Sequence, residues 1–246
     1  MHAFGSDEEY VKAAIKAGIK ELGFSDHTPW PYDNFKSHMR MEENQLTEYI
    51  ESLVYLKDKY SNKICIKIGL ECEYFPDYIP WLKETYEKNK LDFLILGIHF
   101  YPTDQNVKYM HAKPMDENTF NNYLLACIKG METGMFEYLA HPDLFLRFVP
   151  KMDKKYQDAS IKIIKKAKSL DLPLEYNLNS LYYKSNGFHN PSDEFWKLVA
   201  DYNAPTIIGF DAHSPQFLTE RELYINSKKY LKNLGIKPLK KLELKS

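Results

Sequence analysis

Histidines and carboxylates recur in this chain directly after short apolar runs. Ser25-Asp26-His27 follows one such run, and Gly69-Leu70-Glu71 ends a second. Gly97-Ile98-His99, Ala140-His141-Pro142-Asp143 and Gly209-Phe210-Asp211-Ala212-His213 follow three more. Imidazoles and carboxylates are the donors that zinc, manganese and iron accept. A carboxylate among several histidines can also bridge two ions, as two-metal hydrolytic chemistry requires. A single histidine in such a place is more often a hydrogen-bonded structural residue. Four histidines and two acids in the same kind of place point to one shared metal site.

Such residues, far apart in sequence, meet only if the elements that carry them run parallel. The pattern predicts strands over residues 21–24, 64–70, 93–97, 138–140, 174–176 and 206–209. Helices are expected near 43–59, 77–89, 116–130, 153–170, 192–202 and 219–234, the alternation of an α/β protein with a parallel sheet. Ahead of them, Ser6 and Glu9 form a capping box, Tyr10, Val11, Ala14, Ile15 and Ala17 supply an apolar stripe, and Gly18 suits the C-terminal cap. Six strands with helical crossovers fall one or two short of a closed barrel, in which all strand ends would converge on one rim. The fifth strand ends in Glu175-Tyr176-Asn177-Leu178-Asn179, with no histidine. No repeat or Gly/Ser-rich linker divides the chain, so residues 1–246 read as one domain.

Composition narrows the function. A formal charge of −1 argues against a whole-chain electrostatic surface for nucleic acid or anionic membrane. No apolar run approaches the roughly 20 residues of a membrane span. The N-terminus lacks a basic-then-apolar leader pattern, so a cytoplasmic location is expected. The three cysteines form no Cys-x-x-Cys pair, which disfavours a disulfide framework or thiolate zinc site. Nothing in the composition specifies an oligomeric state.

The five ordered motifs resemble the metal motifs of the PHP (polymerase and histidinol phosphatase) superfamily. His2-Ala3-Phe4-Gly5-Ser6 and Pro142-Asp143-Leu144-Phe145 are similar to its histidinol-phosphate phosphatase branch. The resemblance implies a distorted TIM-like (β/α)7 barrel with two or three divalent metal ions (zinc, manganese or iron). It implies one metal held by His2, His27 and His213, and a second held by Glu71, His99 and His141, with Glu71 bridging. Asp211 and Glu71 would contribute to a further position. Family members begin with a short strand ending in His-x-His, ahead of the counterpart of His2. This chain starts after that motif, so the first strand of the barrel is expected to be missing through truncation or a misplaced start. The implied reaction is hydrolysis of L-histidinol phosphate, a small-molecule phosphate monoester, in histidine biosynthesis.

A phosphate needs fixed cations, and arginine is the favoured bidentate partner. The chain has three arginines, Arg40, Arg147 and Arg221. Arg147, six residues beyond His141, is the first candidate for a phosphate clamp, with a structural ion pair as the alternative. Arg40, in the long loop after His27, is the second candidate. Arg221, within the expected last helix, reads as a surface residue. His189 could line the pocket, whereas His38 and His111 match no metal motif and read as surface or loop residues. Two other functions compete. One is another PHP phosphoesterase, acting on phosphotyrosine or a nucleotide, and the other is a metal-binding PHP protein without catalysis.

Overall fold

The computed structural model describes residues 3–105, 107–242 and 244. Its strands are β1 (Glu21–His27), β2 (Cys65–Cys72), β3 (Phe93–Leu96), β4 (Leu174–Asn177) and β5 (Thr206–Gly209). The longer helices are α1 (Asp7–Ala17), α2 (Leu46–Lys59), α3 (Ile79–Asn89), α4 (Glu117–Glu132), α5 (Lys154–Ser169), α6 (Leu178–Tyr183), α7 (Asp193–Tyr202) and α8 (Arg221–Asn233).

All three strand pairings, β1 with β2, β2 with β3 and β4 with β5, are parallel. The run at 138–140 was expected to be a strand, but it contributes one residue. Leu139 bridges β3 at Leu96 and β4 at Leu174, also in parallel. The chain turns away immediately afterwards, at His141, whose φ is +31°. The sheet therefore curves through β1, β2, β3, Leu139, β4 and β5 in sequence order.

Helices cover the outside of this sheet, and its strand β3 is apolar without alternation, with Phe93, Leu94, Ile95 and Leu96 all buried. α5 turns Ala159, Ile163, Ile164 and Ala167 inward at helical spacing. α7 buries Phe195, Trp196 and Val199, and α4 buries Phe120, Tyr123 and Cys127. Each large side chain buried this way contributes about 1.5–3 kcal/mol. α1 has the expected ends, with the Glu9 carboxylate accepting from Ser6 N at 2.8 Å and Gly18 left-handed at φ 77°. α6 is an element the sequence pattern did not predict. Asn177 caps it directly from the end of β4 by accepting from Ser180 N at 2.7 Å.

Among the described residues β1 and β5 do not pair, and the sheet stays open between them. A cavity of about 940 Å³ occupies that gap, lined along one side by residues of β1 and along the other by Ile207–His213 of β5 and its following loop, residues 207–213. The C-terminal segment enters it beside the start of β5, where Leu239 N donates to Thr206 O at 2.8 Å. No helix among the described residues is long and apolar enough to cross a membrane.

Candidate metal centre

The parallel register places His27 of β1 directly beside Glu71 of β2. Both were expected beyond or at the ends of shorter strands, and both lie within their ladders. Glu71 is the hub of a buried cluster. His141 Nε2 donates to Glu71 Oε1 at 3.1 Å, while His99 Nε2 lies 3.7 Å from Oε1 and His27 Nδ1 lies 3.8 Å from Oε2. Ring centroids are 5.0 Å apart for His27 and His99, and 4.9 Å for His99 and His141. Gly97 makes room for the hub, since a Cβ there would overlap Glu71 Oε1.

Burial and mutual charge set the protonation of this cluster. Burial outweighs the attraction of Glu71 and holds His27 down at about 3. For His141, burial is overcome by the hydrogen bond and charge of Glu71, which lift it to about 9. The surrounding imidazoles, His27 foremost, hold Glu71 below the usual carboxylate range despite its burial.

Beneath the cluster lies a second acid that sequence reasoning passed over. Glu73 is fully buried, with Oε1 3.4 Å from His99 Nδ1. A carboxylate behind a ligating imidazole fixes its orientation and raises its basicity. Arg40, expected at the substrate, is the partner of Glu73 instead. Its NH1 and NH2 groups donate to Glu73 at 3.0 and 2.9 Å, and its Nε donates to Asp104 at 3.0 Å. NH1 also donates to Thr28 O at 3.0 Å, so the guanidinium is spent inside the fold and its side chain is 2% exposed. The signal for Glu73 was its two-residue spacing from Glu71, which in an extended backbone puts both on one side of the chain.

Asp211 and His213 follow β5 and line the same cavity as His27, Glu71 and His141. Asp211 Oδ2 accepts from Asn177 Nδ2 at 3.1 Å and from Asn179 Nδ2 at 3.3 Å. His213 Nδ1 is 2.9 Å from the Asp211 carbonyl oxygen, and Phe4 N donates to His213 O at 2.9 Å. Glu175, two residues before Asn177, is buried and also lines the cavity. Burial, reinforced by the Asp211 charge, pushes its carboxyl up to about 7. His2, expected as a ligand, lies outside the described residues. His27 joins Glu71 and His99 in one close set. Strand register, invisible to motif spacing, decides this.

Arg147 follows the short helix after His141, half-buried, with its guanidinium carbon 3.7 Å from the Phe188 ring centroid. Its alternative role, an ion pair, has no carboxylate partner among the described residues, and its Nε is buried without a hydrogen-bond partner. Tyr109 links it to the cluster, stacking on His99 at a 6.0 Å centroid distance and feeling the Arg147 charge. His189 is half-buried and its backbone N donates to Arg147 O at 3.0 Å, placing it in the same loop layer. Arg221 is exposed and lies on the lining of the large cavity. His38 is exposed, but His111 is a buried residue, with Nε2 2.7 Å from Ile98 O.

The donor set fits divalent metal. His27, Glu71 and His99 offer one ligand atom each within 4.8 Å of one another, and His141 Nδ1 is buried with no hydrogen-bond partner. Two imidazoles and a carboxylate converging in a buried pocket suit zinc, manganese or iron better than magnesium or calcium.

The PHP domain sequence profile matches residues 1–179. The chain is 24% identical over 227 residues to a probable histidinol-phosphatase of Deinococcus radiodurans, covering 87% of this chain and 82% of that protein. It is 26% identical over 265 aligned positions to a probable histidinol-phosphatase of Schizosaccharomyces pombe, covering 99% and 86%. A crystal structure of histidinol phosphate phosphatase from Lactococcus lactis, complexed with zinc, L-histidinol and phosphate, shares the fold. Its TM-score is 0.71 at 18% identity, covering 99% of this chain and 94% of that one. With most of its length inside the profile match, the chain belongs to the PHP domain family.

Proposed function

We propose that this chain is a metal-dependent phosphomonoester hydrolase that converts L-histidinol phosphate to L-histidinol and phosphate. The observation that carries this reading is the Glu71 hub, with three imidazoles around one buried carboxylate that lines a large cavity. The substrate comes from the family branch, since its curated relatives are named for that reaction.

In this reading His27, Glu71, His99 and His141 hold divalent metal, with Asp211, His213 and His2 completing the ligand set around two or three ions. Bound ions would supply an activated water and neutralise the phosphoryl oxygens. Glu71 and Asp211, which both line the cavity, would orient that charge. Arg147 clamps the phosphate, because its guanidinium has no carboxylate to satisfy it among the described residues, and His189 lines the same loop layer. Glu73 and Tyr109 hold the His99 ring. Residues 1–246 act as one domain, because Asp211 and His213 lie beyond the profile match yet share the cavity with His27 and Glu71. The open gap between β1 and β5 is the place where a further parallel strand would complete a distorted (β/α)7 barrel.

Turnover of histidinol phosphate, phosphotyrosine and a nucleotide monophosphate, each before and after chelation, tests the reading. Chelator-sensitive hydrolysis with histidinol phosphate preferred supports it. Preference for either other substrate overturns the substrate assignment. The open β1–β5 gap favours one second reading, a metal-binding protein without catalysis, which metal retention with no turnover would support.

A further inference from the structure

His141 and Asp211 are non-glycine residues with left-handed backbone, at φ 31° and 49°. Each such residue costs of order 1 kcal/mol or more and persists where its surroundings over-determine it. One buried array contacts both. Glu175 Oε2 accepts from His141 N at 2.9 Å and from Asn177 Nδ2 at 2.9 Å. The same Asn177 Nδ2 reaches Asp211 Oδ2 at 3.1 Å. The direction of the Asn177 amide is set by the fold, because its Oδ1 accepts from Ser180 N at 2.7 Å to cap α6. Only its NH₂ group is left to face the two carboxylates. Gly209 keeps the space, since a Cβ there would overlap Glu175 Oε1. Glu175 and Asn177 are 2% and 1% exposed, so water does not substitute for either.

We propose that Glu175 and Asn177 form a positioning clamp that sets the His141 backbone and the Asp211 carboxylate in one frame. The clamp lets ligands from two separate strand ends serve the same metal centre, and in that respect it rests on the metal reading above. Their contacts are with the His141 backbone and the Asp211 carboxylate. Both amides that hold Asp211 engage Oδ2, while Oδ1 faces His213 at 3.5 Å. The bridge works because an amide donor stands between two acids. An acceptor in its place would set three oxygens against one another.

Asn177→Asp isolates the clamp from the helix cap. Aspartate caps a helix as well as asparagine does, but it replaces the donor that faces Glu175 and Asp211. Affinity for Mn²⁺, measured by chelator competition, is expected to weaken about 10- to 100-fold in Asn177→Asp, with helix content by circular dichroism unchanged. Glu175→Gln, which keeps an oxygen for His141 N and Asn177, is expected to bind more tightly than Glu175→Ala. Wild-type Mn²⁺ affinity in Asn177→Asp, with lost stability in Asn177→Ala, would make the asparagine a cap alone and overturn the proposal. Hydrogen exchange at the His141 amide separates the two inferences. If the wild-type protein takes up no Mn²⁺ or Zn²⁺, the metal reading fails. The clamp then stands if Glu175→Ala accelerates exchange at His141, and falls if it does not.

Discussion

At the scale of single residues, the Glu71 hub joins groups that titrate in opposite directions. His141 is lifted from its ordinary value to about 9, so its contribution to stability is fully present below about pH 6.5 and lost as pH rises through 9. Glu71 is held below its ordinary range, so its contribution appears above that range and is lost only as pH falls through the folded value. Between these limits the pair contributes on the order of 2–4 kcal/mol. Thermal unfolding in chelator should therefore show a falling Tm from neutral to strongly alkaline pH, and His141→Gln should flatten that slope. An identical slope in the variant would remove His141 from the explanation. Arg147 is a residue-scale case of a different kind, because its charge has no acid to answer it among the described residues. Loss of a charge-assisted phosphate contact costs about 1.5–3 kcal/mol, so Arg147→Ala should lower kcat/KM on the order of 10- to 150-fold. Steady-state kinetics with metal affinity unchanged is the expected pattern. Unchanged kinetics would return Arg147 to a packing role against Phe188.

The elements matter through what their ends hold. β2 delivers Glu71 to the hub, and Glu73, one residue past the end of β2, lies in the layer beneath it. The loop after β1 returns Arg40 to that layer, where it neutralises Glu73 and Asp104 together. Removing one partner of a buried ion pair typically costs about 3–5 kcal/mol because the other charge stays buried. Arg40→Ala should lower Tm by roughly 10 °C or more, and calorimetry decides this. A variant as stable as the parent would mean that Glu73 and Asp104 take up protons or water at little cost. The strand-end glycines are an independent test. Gly97→Ala sets a methyl against the Glu71 carboxylate, so metal affinity should fall while the sheet and its helices remain. Retained affinity would show that Glu71 can move without loss of the hub.

For the whole molecule, the open side between β1 and β5 is the largest departure from a closed barrel. Both edges are parallel and face a cavity of about 940 Å³ that is also lined by His27, Glu71 and His141 of the candidate metal centre. A single parallel strand inserted there would extend both edges, because among the described residues β1 and β5 run in the same direction and do not pair with each other. A short β-strand ending in His-x-His joined ahead of His2, with His2 kept, should raise Tm and add a bound divalent ion. The same strand with alanines for its histidines should raise Tm alone. Metal analysis and calorimetry on both forms provide the check, and no change in either quantity would mean that the gap does not accept a strand.

Much of this was legible from residues alone. Histidines and acids after apolar runs marked the metal chemistry, because ligand types are a property of side chains and local spacing. The parallel sheet followed from the alternation of strands and helices, since parallel strands need a crossover between each pair. The capping box at Ser6 and Glu9 fixed the start of α1 for the same local reason. Other features depended on contacts between residues far apart in sequence. The register that pairs His27 with Glu71 is one, because spacing within each strand says nothing about the offset between strands. The diversion of Arg40 from substrate to Glu73 and Asp104 is another, since a long loop can return anywhere. Asn177 looked like a strand-end polar residue, and only its simultaneous contact with Ser180, Glu175 and Asp211 revealed a three-way junction. Local chemistry named the candidate ligands. Which of them meet was decided by strand register and loop return, because both are set by packing over the whole chain.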